Sequence, residues 1–165
     1  MQRVLGIDPG TATTGYGVVE ETEAGLQALT YGTVTTTPDL PMAKRLQVIH
    51  RELTQVAKDW QADVAAVEEI FFSVNVRTAM SVGQARGVAM LAMADAGLPV
   101  SEYSPSAVKQ ALTGYGRADK RQMQEMVRML LGLSEIPRPD DAADALAVAV
   151  CHIHSATLRS LKEIT

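Results

Sequence analysis

The stretch Val4-Leu5-Gly6-Ile7-Asp8-Pro9-Gly10 constrains the fold more than any other in the chain. Val4, Leu5 and Ile7 supply strand propensity, and Pro9-Gly10 ends the run in a turn. Asp8 therefore falls at the C-terminal end of a strand that reads as central. Aspartate is depleted in strands, and an ionised carboxylate is costly to bury without a partner. Either Asp8 bonds its own turn backbone, as in an Asx turn, or another group compensates it. This stretch alone leaves both open.

The spacing downstream predicts an α/β architecture. Three strands, Arg3 to Asp8, Gly15 to Glu21 and Leu26 to Thr36, are joined by short turns and read as antiparallel hairpins. From Met42 to about Trp60 the apolar residues Leu46, Ile49, Leu53, Val56, Ala57 and Trp60 follow helical spacing. Val64 to Val67 is a short apolar run after that helix, which indicates a crossover to a buried parallel strand. Arg77 to Ala96 reads as a helix apolar around much of its circumference, with one side for the sheet and one for a partner subunit. Leu98 to Tyr103 is a fifth strand. Ser104-Pro105 starts the next helix, with Ser as N-cap, and Gly114 stops it. A further helix carries Met123, Met126, Val127, Leu130 and Leu131 on one face. The last starts near Asp140, a fitting N-cap, and runs to about Ser155. The result is a five-stranded mixed sheet flanked by helices, in one domain over 1–158 with a short tail at 159–165.

Composition narrows the setting. The single cysteine, Cys151, excludes an internal disulfide and fits a reducing cytosol. No apolar run approaches the ~20 residues of a membrane span, and the first residues lack the features of a secretory leader. The formal charge is −4. Yet residues 70 to 132 hold seven Lys/Arg against four Asp/Glu, while the rest holds eight against fifteen. A basic middle on an acidic body allows a local phosphate footprint, although an ordinary solvated surface explains it equally.

Glu68 repeats the situation of Asp8, an acid at the end of a buried strand. Asp141 and Asp144 are spaced i, i+3, which puts both on one face of the last helix. Acids in a first helical turn also favour the macrodipole. However, the apolar run Ala145 to Val150 buries this helix and gives its acids a specific direction. Four acids from three segments meeting at one sheet edge would repel one another and raise their pKa values. A divalent cation relieves this. Mg²⁺ suits a few carboxylates plus substrate phosphate oxygens, and two such ions about 4 Å apart support phosphodiester cleavage.

The chain resembles the RuvC family of Holliday-junction resolvases, within the ribonuclease H-like superfamily. The resemblance is carried by Leu5 to Gly10 with Thr14-Gly15-Tyr16-Gly17-Val18, by Val67-Glu68-Glu69-Ile70-Phe71, by Gly83-Gln84-Ala85-Arg86-Gly87, by Val108-Lys109-Gln110, and by Asp141 to Ala147. It implies a ribonuclease H-like fold and a homodimer that makes paired, metal-dependent nicks in four-way junction DNA during recombination and repair. It places Asp8, Glu68, Asp141 and Asp144 as catalytic metal ligands for Mg²⁺, with Mn²⁺ as an alternative and two ions per site. It places Lys109 and Lys120 near the scissile phosphate, and it implies a branch-migration helicase as partner and a cytoplasmic location with no membrane contact.

The resemblance implies that Phe71 stacks on a base of the opened junction, with Phe72 a loop anchor or a second contact. Asn75 and Arg77 fall in the same DNA-binding segment, and Arg117 and Arg121 are candidate backbone clamps. Position 74 is Val where the family pattern suggests a basic residue. His152 lies about three turns beyond Asp141, roughly 16 Å away, so it, His154 and Cys151 read as structural. Two other classes stay open at this point: a sugar kinase or actin-like ATPase with a similar Asp-to-Thr phosphate loop, and a non-catalytic junction-binding scaffold.

Overall fold

A computed structural model describes residues 1–69 and 76–163, with 160–163 as helix backbone alone. The strands are β1 (Arg3–Asp8), β2 (Thr13–Thr22), β3 (Gly25–Thr35), β4 (Val64–Glu68) and β5 (Val100–Tyr103). They form one sheet in the order β3-β2-β1-β4-β5. β1 and β2, and β2 and β3, pair antiparallel, while β1 and β4, and β4 and β5, pair parallel. The mixed sheet with a central β1 is the one expected from the hairpin and crossover spacing.

Strand alternation sorts the core into two layers. Leu5 and Ile7 of β1, Val18 of β2, and Ala65 and Val67 of β4 face helices α1 (Met42–Asp59) and α2 (Val76–Asp95). There they meet Ile49, Leu53, Ala85, Ala89 and Met93. Val4, Val19, Val64 and Ala66 face the opposite way, toward α3 (Pro105–Thr113), α4 (Lys120–Leu130) and α5 (Asp140–Glu163). The apolar central residues of β1 and β4, Val4 to Ile7 and Val64 to Val67, are covered on both faces, as parallel strands require.

The α3 boundaries match the sequence signals. The Ser104 hydroxyl accepts from the Ala107 N–H at 3.1 Å, Pro105 opens the helix, and Gly114 closes it with φ 72°. The last helix differs in two respects. It extends to Glu163 rather than Ser155. No Gly or Pro follows Pro139, so nothing stops the helix, and the polar run from His154 to Thr157 only interrupts its apolar pattern. Asp140 lies inside the helix rather than capping it, because the Ala142 and Ala143 N–H groups donate to the Pro139 carbonyl.

α5 is buried from Ala142 to Ile153, save the half-buried Asp144, and runs unusually close to the sheet. A methyl added to Gly6 would collide with the Ala145 carbonyl oxygen, and one on Gly15 with the Asp141 carbonyl. One on Gly17 would meet the Leu146 side chain. The three glycines occupy the α5 face of adjacent strands, with Gly6 paired to Gly17 in register. They form a flat strip on which helix backbone rests directly.

Gly6→Ala and Gly15→Ala should each push α5 off the sheet. The cost of such overpacking against backbone is about 3 kcal/mol, a drop in thermal midpoint of roughly 6–12 °C for a chain of this size. An unchanged melting midpoint in both variants would show that α5 does not rest on this strip.

Candidate active site

Register and alternation place the first two acids. β1 and β4 run parallel with Ile7 opposite Val67, so Asp8 and Glu68 leave neighbouring strands at the same level. Asp8 follows Val4 and Gly6 onto the α5 face, and Glu68 follows Val64 and Ala66 onto the same face. Gly15, paired with Asp8, receives the Asp141 backbone from above. One turn later, on the same side of α5, comes Asp144. Each of Asp8, Asp141 and Asp144 offers a carboxylate oxygen within 4.8 Å of the others. Glu68 shares a hydrogen bond with Asp8. It also lines, with Asp144, Lys109, Lys120 and Met123, a cavity of about 270 Å³.

The electrostatics follow from burial and crowding. Desolvation first, then the charges of Glu68, Asp144 and Asp141, hold the Asp8 carboxyl far above the ordinary carboxylate range. Burial also raises Glu68, with the Asp8 hydrogen bond and the Lys109 ammonium opposing. Burial raises Asp144, against the pull of Lys120. Converging, half-buried oxygens that resist joint ionisation form a donor set suited to a hard divalent cation. Asp8, Asp141 and Asp144 would hold it directly, with Glu68 beside them.

The loop that carries Asp8 is fixed by other side chains. Thr14 closes the turn: its hydroxyl donates to the Gly10 carbonyl at 2.6 Å and accepts from the Gly10 N–H at 3.3 Å, the donor an Asx turn would need, so the Asp8 carboxyl instead faces Glu68. The Thr11 hydroxyl donates to the Ser81 carbonyl of α2 at 2.7 Å. The Thr36 hydroxyl donates to the Thr11 carbonyl and in turn accepts from Arg45 Nε of α1 at 2.8 Å. One chain of bonds thus ties the loop to both helices behind the sheet.

The remaining sequence candidates divide. Lys109 reaches the cavity from α3 and Lys120 from the first turn of α4. Lys120 Nζ lies 2.9 Å from Asp140 Oδ2. Arg117 and Arg121 are exposed on either side of Lys120, and Arg77 is exposed at the start of α2. Phe71, Phe72, Asn75 and Val74 lie outside the described residues. His152 bonds the Tyr103 hydroxyl at 3.0 Å, and His154 Nδ1 lies 3.1 Å from the Ala111 carbonyl. With buried Cys151, they serve packing.

Two residues near the site have no site role in the sequence reading. Arg86 of α2 donates to the Glu68 carbonyl at 3.4 Å and pairs with Glu102 of β5. It thereby clamps the end of β4. Its signal was a cation facing inward on a helix otherwise rich in Ala and Met. Asp140 holds Lys120 and also accepts from Gln124 Nε2 at 3.1 Å; only the folded arrangement of α4 against α5 reveals this.

Sheet order and acid placement together define a ribonuclease H-like protein with a carboxylate centre at the ends of its central strands. The chain belongs to the RuvC family: the family described as crossover junction endodeoxyribonuclease RuvC matches residues 4–152. A relative of that name from Chloroflexus aggregans is 59% identical over 154 residues, 93% of this chain and 94% of the relative. The solved structure of Thermus thermophilus RuvC superposes with a TM-score of 0.88 at 41% identity, covering 95% of this chain and 96% of that one. The T. thermophilus RuvC structure in complex with Holliday junction substrate gives 0.87 at 39% identity over the same shares.

The raised Asp8 carboxyl has a measurable consequence. In the folded chain it keeps its proton where the unfolded chain has lost it, so rising pH works against folding. Asp8→Asn removes this liability. In EDTA the variant should be more stable than wild type, with a gap that opens from about pH 4, reaching at most ~1.4 kcal/mol per pH unit. Added Mg²⁺ should close the gap by stabilising wild type. Thermal denaturation across pH measures it, and a gap independent of pH would contradict the assigned environment of Asp8.

Proposed function

We propose that this chain resolves four-way DNA junctions by metal-dependent hydrolysis of phosphodiester bonds, with Asp8, Glu68, Asp141 and Asp144 as the metal-binding catalytic acids. The observation that carries this reading is the convergence of Asp8, Asp141 and Asp144 in a chain of the RuvC family. A bound divalent ion, Mg²⁺ or Mn²⁺ and two per site, supplies Lewis-acid activation of water and neutralises developing charge. The chain's own residues do the rest. Lys109 and Lys120 stand on the cavity wall, where ammonium groups stabilise negative charge on the reacting phosphate. Arg117, Arg121 and Arg77 supply exposed charge for the DNA backbone, and Phe71, Phe72 and Asn75 contact the opened junction.

Two symmetric cuts need two sites, so we assign a homodimer, whose twofold axis matches that of the junction. Val76, Met80 and Leu91 support this: all three are large apolar residues of α2 that stay exposed, Val76 by 78%. A branch-migration helicase is the partner implied by the family resemblance. A cytoplasmic site of action agrees with a described structure in which no helix is long and apolar enough to cross a membrane.

The test uses an end-labelled mobile junction and a matched linear duplex, each with Mg²⁺, Mn²⁺ or EDTA. Wild type should nick opposing strands of the junction symmetrically in either metal and neither substrate in EDTA. Asp144→Asn should bind the junction within about threefold of wild type, since it contributes no backbone contact. Its cleavage should fall by about 10³-fold, in the range seen when one electrostatic stabiliser is removed. Full nicking by this variant in Mg²⁺ would overturn the assignment of the acids.

A further inference from the structure

We propose that Asp140, steadied by Gln124, is a holding site for the Lys120 ammonium that keeps it off the Asp8, Asp141 and Asp144 carboxylates. The inference rests on the metal-centre reading above and assigns a positioning residue that the reading does not use.

Lys120 begins at a fixed point. A capping box at Asp119 and Gln122, with both bonds at 2.9 Å, sets the first turn of α4 immediately beside it. Gln124 lies one turn further on the same face. Both side chains reach Asp140: Lys120 Nζ at 2.9 Å from one carboxylate oxygen, Gln124 Nε2 at 3.1 Å from the other. The carboxylate is thereby held by two donors from one helix. An acid at the start of α5 also suits the helix dipole, but that function requires neither donor.

The alternative position for the ammonium is close. Lys120 lines the same cavity as Asp144. A lysine carries a compact charge on a flexible four-carbon stem, and the Asp144 and Asp141 carboxylates already attract the ammonium from beyond Asp140. Seated there, it would compete with a divalent cation for the same oxygens. Asp140 is the outermost acid of the helix and offers a partner one residue short of the cluster. The pair is exposed, its side chains 60% and 50% accessible. It is therefore weak, and a phosphate group entering the cavity can take the ammonium from it.

The test is Mn²⁺ binding to the metal-free full chain, read by electron paramagnetic resonance of free Mn²⁺, without DNA or turnover. It compares wild type, Asp140→Asn, Lys120→Met and the double variant. Charges that stay in place act additively, so loss of the Asp140 charge alone weakens Mn²⁺ binding by the same factor with or without Lys120. Movement of the ammonium breaks that equality. The expected result is a loss of about fivefold or more for Asp140→Asn in wild type but under about twofold in the Lys120→Met background. Asp140→Glu, which keeps the partner charge, should restore binding to within about twofold of wild type. Equal factors in the two backgrounds, with wild type binding Mn²⁺, would overturn the holding site alone. Absence of Mn²⁺ binding by wild type would overturn the metal-centre reading and the holding site with it.

Discussion

Backbone-to-backbone contact between α5 and the sheet governs the geometry of everything else. A helix normally rides above a sheet on side chains contributed from both sides. Here Gly6, Gly15 and Gly17 remove the side chains from one side, and alanines at 142, 145 and 149 thin the other. The helix sinks until the Asp141 and Ala145 carbonyls touch the strands. Only at that depth do the short aspartate side chains of α5 reach the level of Asp8. A helix held a few ångströms higher would need glutamates to span the gap, with more rotatable bonds and a less defined oxygen cluster. The glycines belong to the active-site architecture although none offers a functional group.

That packing also explains how the chain tolerates four crowded acids. Burial and mutual repulsion make ionisation of Asp8, Glu68 and Asp144 harder than in water, as their upward pKa shifts show. The cost is local, while the scaffold around it is over-determined. The Asp8 loop is bonded through Thr11 and Thr36 to α1 and α2, and the end of β4 is clamped by Arg86. Destabilised functional groups on a rigid frame are the usual compromise between stability and activity. The frame prevents relief by movement, so a bound cation is the means by which the crowding would be relieved.

Much of this was legible in the sequence because local and global signals agree. The strand-turn pattern at Val4 to Gly10 gave Asp8 its place, the Ser104-Pro105 and Gly114 signals bounded α3, and i, i+3 spacing put Asp141 and Asp144 on one face. What escaped the sequence depends on distances between segments far apart in the chain. Asp140 reads as a helix cap until α4 brings Lys120 and Gln124 against it. Arg86 sits in a stretch that supports the family resemblance, yet its ties to Glu68 and Glu102 follow from the parallel pairing of β4 with β5. The end of α5 was placed at Ser155 because polar residues break the apolar pattern there, whereas the backbone continues for lack of any breaker.

The charge pattern of the whole chain acquires a spatial meaning from the same geometry. A net charge of −4 opposes binding of a polyanion at long range, but salt screens that repulsion beyond ~8–10 Å. At shorter range the order of charges matters more than their sum. Lys109 and Lys120 line the same cavity as Glu68 and Asp144, and Arg117 and Arg121 are exposed to either side of Lys120. Bound cations, rather than the protein's own ammonium groups, would then be what neutralises the carboxylates. Separating the two kinds of positive charge requires that the lysines have somewhere else to rest. An acid just outside the centre supplies that at little cost in stability, because an exposed ion pair is worth at most about 1 kcal/mol.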